Sequence, residues 1–383
     1  MSKKKRIALV VSGLLILCIL VGGTIGGIYY FKNLHYSHDA KIVKQLLVGL
    51  NTNITQTGKK GFAVSFREQY DVEAQEDPNI DEVSFSISYV GEGNVSMSYE
   101  LSCNEEADAI DLGHLMEHGA GYLSGTQKES YVYYDKSTSL VDGEEIANIQ
   151  DVAYSLDHSF TVKIDGEDCY VAGESLYRDQ KSEENDLADQ FYGKIDKAVL
   201  LDTFSREELA EATQRLFFMD SWTYVKQIAD LSNRYFKTLD LKNPQEVNAF
   251  MKKHRITVQE NGNVVKVGFV LDTTEIFAKE SDMDLGELPA ITGSMEIERE
   301  SGDVLHFEYD LGQLLLSLLM KMNTGRPYFK ATVGEFILEG RVLNSTMEDK
   351  LPDGEFTEYD EASKAEFIYE FSKHIIPFGQ DLG

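Results

Sequence analysis

The sequence is poor in the residues that punctuate or staple a chain. Pro occurs 6 times in 383 residues, Trp once and Cys 3 times. So few prolines, with no Gly/Pro/Ser-rich stretch between the patterned segments, exclude a Pro-rich linker and a low-complexity architecture. Three cysteines exclude a disulfide framework: Cys18 lies in an apolar run, which leaves Cys103 and Cys169 and one possible bridge in an oxidising compartment. There is no G-x-S-x-G elbow, phosphate-binding Gly loop, C-x-x-C or EF-hand loop, so four common chemistries have no motif here. Positive charge is also in deficit, with 36 Lys and Arg against 65 Asp and Glu and a formal net charge of -29. Such a field argues against nucleic acid and anionic membrane surfaces as partners.

The first 36 residues hold five basic side chains and no acidic one. Lys3, Lys4, Lys5 and Arg6 precede an uncharged run from Ile7 to Phe31, closed by Lys32. At ~1.5 Å per residue this run more than covers a hydrocarbon core of ~30 Å. It is longer than the ~7 to 15 apolar residues of a cleaved signal peptide, and it ends in Tyr29, Tyr30 and Phe31, an aromatic edge suited to headgroups. Leu17 stands where a lipobox needs a small residue before its cysteine. The expectation is therefore an uncleaved, single-pass signal-anchor: 1–6 a cytoplasmic tip, 7–31 a transmembrane anchor and 37–383 an extracytoplasmic domain at the cell membrane. Without the five basic residues of the first 36, the remainder holds 31 Lys and Arg against 65 acids.

Periodicity orders the rest. Ile42, Val43, Leu46, Leu47 and Leu50 fall at helical spacing. Phe62, Val64 and Phe66 alternate as in a strand, and Val83, Phe85, Ile87 and Tyr89 face Val95, Met97, Tyr99 and Leu101 across Gly91 to Gly93, which predicts a hairpin with one apolar face. More strands are predicted in "ESYVYYDK" and "HSFTVKIDGEDCYVAGESLY". From about 184 to 254 the period becomes helical, with a capping box at Ser205 and Glu208 and a Pro-initiated helix at Asn243 and Pro244. Strands return in "TVQENGNVVKVGFVLD", "AITGSMEIERESGDVLHFEYDL" and "YFKATVGEFILEGRVLN". Before the last of these, Leu311, Leu314, Leu315, Leu318, Leu319 and Met322 form a helical stripe too short to span a bilayer and too apolar for a surface helix. The fold class expected is α+β: an N-terminal transmembrane helix, then an antiparallel, partly open β-sheet or half-barrel with helices covering one face.

One chemical motif stands out. His114, Glu117 and His118 in "GHLMEHGAGYLSGT" read H-x-x-E-H, similar over these fourteen residues to the insulinase-type zinc metallopeptidases. Two histidines one helical turn apart can hold zinc, with the Glu activating a bound water. If the segment is helical, however, Ala109, Leu112, Leu115 and Met116 form its buried stripe and the histidines point away from it. The helical Glu which that family places further along is missing as well, since Asp196 is the only acid between Gly193 and Lys197. The segment is read as a short polar connection ending in a Gly turn, and no catalytic residue, metal site or cofactor is expected. His254, His306 and His374 are isolated in sequence.

Over about 40 to 345 the order of elements, with Gly293, Met295, Ile297, Gly302, Leu305 and Phe307 in the hairpin "GSMEIERESGDVLHFEYDL", resembles the lipoprotein-carrier superfamily of LolA and LppX type. That resemblance implies an unclosed barrel whose apolar face holds lipid or acyl chains, with Phe307, Tyr309, Leu314, Leu315, Leu318 and Leu319 as wall or lid. The function expected is a membrane-anchored, non-catalytic extracytoplasmic binding protein for a hydrophobic or cell-envelope ligand, with a structural or assembly partner in a surface complex as the alternative. A zinc metallopeptidase is the remote one.

Overall fold

The computed structural model describes residues 36–52, 58–75, 83–101, 112–141, 144–182, 186–205, 208–209, 238–273, 289–300, 304–321, 328–343 and 350–375. Among these, α1 (His38–Thr52) leads into a meander of six strands, β1 (Gly58–Gln75), β2 (Phe85–Leu101), β3 (Gly119–Val141), β4 (Glu144–Asp165), β5 (Asp168–Asp179) and β6 (Leu187–Asp196), with α2 (Leu112–His118) before β3. After α3 (Lys197–Thr203) and α4 (Pro244–Lys253) comes a second meander, β7 (Thr257–Asn261), β8 (Val264–Leu271), β9 (Ile291–Glu298), β10 (Val304–Asp310) and β11 (Tyr328–Val342). A helix, α5 (Gly312–Lys321), precedes β11, and β12 (Thr357–Tyr359) and α6 (Lys364–Ile375) follow it.

The two meanders are one sheet. Strand order is β12-β6-β5-β4-β3-β2-β1-β11-β10-β9-β8-β7, so the first strand of one meander pairs with the last of the other. All pairings are antiparallel except that of β12 with β6. Strands alternate in exposure, as in β8, where Val265, Val267, Phe269 and Leu271 are buried and Lys266 is exposed. Period-two patterning therefore places the two cores' strand residues on one face, here called the inner face.

Two cores lie on that face. Helices α1, α4 and α5 join Val265, Val267, Ile297 and Leu338 in one of them, through Ile42, Val43, Leu46, Phe250 and Leu314. Helices α2, α3 and α6 join Met97, Leu123, Val162 and Val171 in the other, through Leu112, Leu115, Leu200 and Phe367. The helices begin where the sequence provides caps: Asp196 accepts from the Ala198 N–H at 2.8 Å, and Asn243 accepts from the Gln245 N–H at 3.0 Å beside Pro244.

Several expectations are corrected. Among the described residues the fold is one open twelve-stranded sheet with few helices rather than an α+β half-barrel, and no described helix is long and apolar enough to cross a membrane. No described helix is the expected single-pass signal-anchor, and residues 7–31, on which that expectation was placed, lie outside the described residues, as do Cys18 and Cys103. Helical structure expected from about 184 starts at Lys197, because Leu187–Asp196 is strand β6. The predicted hairpin at Gly91 to Gly93 does not form, and both glycines sit inside the seventeen-residue strand β2. Likewise "GHLMEHGAGYLSGT" is no polar connection: α2 ends at His118 and β3 starts at Gly119.

The reason the glycines misled is visible in the packing. A Cβ at Gly93 would lie 2.4 Å from the Phe66 ring, and one at Gly125 would lie 2.5 Å from the Phe160 ring and 3.0 Å from the Asn94 carbonyl oxygen. These glycines make room for aromatic rings laid across neighbouring strands, an alternative use of Gly in a strand. The Gly125→Val variant should lose about 1 to 3 kcal/mol in denaturant unfolding, with an unchanged slope. Wild-type stability in that variant would show that the ring does not need the gap.

Candidate functional site

Because the registers of β1 to β6 run on with little interruption, inner-face residues align in rows across the strands. One row is polar: Asp189 of β6 lies opposite Ser175 of β5, Ser175 opposite His158 of β4, and His158 opposite Gln127 of β3. The next row runs Tyr177, Leu156, Glu129, Gly91 and Glu68. The third is four tyrosines on four adjacent strands, Tyr154, Tyr131, Tyr89 and Tyr70. None of the four belongs to either core. The rows form a belt beyond the core packed under α2, α3 and α6.

Ring contacts knit the belt together. Tyr70 and Tyr89 stack with centroids 5.2 Å apart, Tyr131 and Tyr154 lie 5.4 Å apart, and Tyr154 meets Tyr177 at 5.2 Å. The Glu129 carboxylate accepts from Gln127 Nε2 at 3.3 Å and from the Tyr89 hydroxyl at 3.4 Å, and it also bonds the Tyr154 hydroxyl. Burial raises the pKa of Glu129, and the three hydrogen bonds oppose that rise. Burial, then the neighbouring Glu129, raises the hydroxyl pKa of Tyr89 and Tyr154. Glu68 is 2% exposed, whereas Glu129 and the four tyrosines remain partly open to solvent.

In the polar row, His158 Nδ1 and Ser175 Oγ are hydrogen-bonded at 2.8 Å. Burial holds the His158 pKa down to about 4, so its ring is neutral at pH 7. The row's carboxylate, Asp189, neighbours Ser175 rather than the imidazole, the reverse of the acid, imidazole, hydroxyl order that activates a serine. Asp189 is instead ion-paired with Lys373 of α6. Beside it His374 is stacked on Phe191, with its Nε2 3.2 Å from Glu370 Oε2. A Cβ at Gly173 would lie 2.6 Å from His374 Cβ, so α6 is seated directly on the sheet there.

The residues expected as ligand wall lie elsewhere. Phe307 and Tyr309 are half-buried against the core under α1, α4 and α5, with ring centroids 5.5 Å apart, and Tyr309 meets Phe269 at 5.4 Å. Leu314 is core, Leu315 packs against it, and Leu319 is half-buried in α5. Leu318 is in the same helix, but its side chain lies outside the described residues, as does that of His114 in α2. Leu112, Leu115 and Met116 are buried as predicted, while Glu117 is exposed and lies 3.4 Å from His118 Nε2. Among the described residues no group of three or more His, Cys, Asp or Glu is placed to hold a metal ion. Cys169 is a fully buried free thiol whose pKa burial pushes up to about 12.

Comparison with known proteins adds little. No family model and no curated protein matches the sequence. Among solved structures, a β-barrel-like protein of the domain of unknown function DUF1849 from Brucella abortus aligns with 75% of this chain and 97% of its own, at 10% identity and a TM-score of 0.10. A superposition at that score assigns neither fold nor ligand.

The buried histidines make stability depend on pH. His158 has a folded pKa of about 4, below its ordinary 6.5, so the unfolded chain binds the proton more readily. Its contribution is complete above pH 6.5 and is lost as pH falls toward 4, with a slope of at most about 1.4 kcal/mol per pH unit. His254, also held down to about 4 by burial, acts in the same direction. Denaturant unfolding of the His158→Gln variant at several pH values should therefore show a shallower but not flat fall between pH 6.5 and 4. A slope equal to that of the wild type would contradict the assignment.

Proposed function

We propose that this chain is a non-catalytic binding protein that holds an elongated hydrophobic ligand, a lipid or the acyl chains of a lipoprotein, along the inner face of its sheet. The observation that carries this reading is the belt itself. Past the core the inner face continues as partly open Phe85, Ile87, Tyr89, Tyr131 and Tyr133, and ends in exposed Val152 (42%), Ile146 (48%) and Leu187 (67%). Partly open apolar and aromatic side chains continuous across neighbouring strands of a strongly acidic chain are the kind of surface that binds, whereas the exposed Val90, Val132 and Ile149 of the outer face stand opposite Ser130, Ser88 and Lys136. The lipoprotein-carrier resemblance implies the same class of ligand, on the Phe307 and Tyr309 side of the sheet. Absence of an ordered acid, imidazole, hydroxyl relay in the polar row favours binding over hydrolysis.

The test is a titration of the purified chain with a neutral fluorescent fatty-acyl ester probe, alongside mass spectrometry of organic extracts. The wild type should bind the probe, and the double variant Ile87→Asp, Val152→Asp should bind about tenfold more weakly, because a carboxylate on the apolar wall must be desolvated. No probe binding by the wild type, or equal binding by the variant, would overturn the reading. Recovery of a protein instead of a lipid on the intact belt would favour the assembly-partner alternative.

A further inference from the structure

The belt is chemically lopsided. Across the polar, glutamate and tyrosine rows the inner face presents Glu68, Glu129 and Asp189, with Asp179 at the end opposite Tyr154, and no Lys or Arg occupies any of those positions. Arg67, Lys128, Arg178, Lys330 and Arg341 all fall on the opposite parity of their strands and so on the outer face. Lys373 of α6 is engaged at the Asp189 end. An anionic head group entering the belt would meet carboxyls of its own sign at short range.

At the centre of the belt the Glu129 carboxyl is bonded by two phenol hydroxyls beside a row of tyrosine rings, a grouping called here the Glu129 box. Tyr89 and Tyr154 bond it from either side, Tyr131 lies between them in the row, and Tyr70 backs Tyr89. Among the described residues the hydrogen bonds Glu129 accepts come from neutral donors, Gln127 and two phenols, so there its charge is solvated but not balanced. A partly open carboxyl with tyrosine rings on its own and both neighbouring strands has the composition that attracts an organic cation: an aromatic ring stabilises diffuse positive charge, and the carboxylate supplies the counter-charge.

We propose that the Glu129 box recognises an organic ammonium group on the ligand, with Glu129 as counter-ion and Tyr89, Tyr131 and Tyr154 as the cage. This rests on the binding reading above and specifies its ligand: an amphiphile with a cationic amine head and an apolar chain, the head in the box and the chain along Ile87, Tyr133 and Val152. Glu68, in the same row beyond Gly91, adds negative potential at Tyr89. The bulky, weakly hydrated head of a quaternary amine suits such a cage better than a compact metal ion does.

The experiment uses three probes with the same ten-carbon chain below their micellar concentrations: decyltrimethylammonium, decyl maltoside and decanoate. Calorimetric titration of the wild-type chain should rank them in that order, the ammonium binding about tenfold more tightly than the neutral sugar. In Glu129→Gln the ammonium should fall to the affinity of the maltoside, while the maltoside itself is unchanged, which also reports that the variant is folded. Tyr131→Leu should erode the same preference without removing a charge. Equal affinities in the wild type, tighter binding of decanoate, or a preference that survives Glu129→Gln would overturn the ammonium site and leave the binding reading standing. If none of the three binds, the binding reading fails and the ammonium site with it.

Discussion

The antiparallel pairing of β1 with β11 is the constraint on which the rest of this structure depends. It sets Phe62 opposite Val342 and Val72 opposite Ala331, strands from opposite ends of the described chain, and thereby fuses two meanders into one sheet. Closing so long a loop costs entropy that grows only slowly with its length, and the pairing recovers it through a long ladder and two apolar stripes. Every inner-face row from β8 to β6 passes through this junction. The register shifts once along it, between Gln69 and Tyr70, a bulge that falls where the glutamate row gives way to the tyrosine row.

Given that sheet, the division of labour on its inner face follows from side-chain volume and polarity. Large aliphatic residues coincide with the helices and make two cores. Where aromatic rings must lie flat, glycine removes the obstacle, as at Gly93 under Phe66 and Gly340 under Phe307. Beyond the core packed under α2, α3 and α6 the face turns to amphipathic residues that tolerate both burial and water, tyrosine above all. That gradient from aliphatic through polar to phenolic is what makes one end of the inner face a scaffold and the other a surface able to receive a ligand. It also fits the titration behaviour, since burial raises the Glu129 carboxyl and lowers the His158 imidazole, and both stand in the two rows between core and tyrosines.

Much of the fold was legible before the structure. The apolar spacing of Ile42 to Leu47, the capping residues at Asn243 and Pro244, and the alternation in β8, β9 and β10 predicted those elements because each depends on near neighbours. The failures are instructive for the same reason. Gly91 and Gly93 read as a turn because glycine is the commonest local signal for one, yet here it answers to rings brought in from the same and a neighbouring strand. H-x-x-E-H looked chemical in five letters, and the helix carrying it stops at His118 with Leu112, Leu115 and Met116 turned into the core.

The sequence by itself determined which residues could face inward, the sign of the charge, and the scarcity of stapling or catalytic motifs, because parity and composition are properties of the chain alone. It could not place Tyr70, Tyr89, Tyr131 and Tyr154 side by side, or set Glu129 among them. Those adjacencies depend on register, and a slip of one residue in any strand would send every tyrosine beyond it to the other face. Only the tertiary pairing, with its single junction between β1 and β11 and its long uninterrupted ladders, decided that scattered tyrosines and acids become one belt.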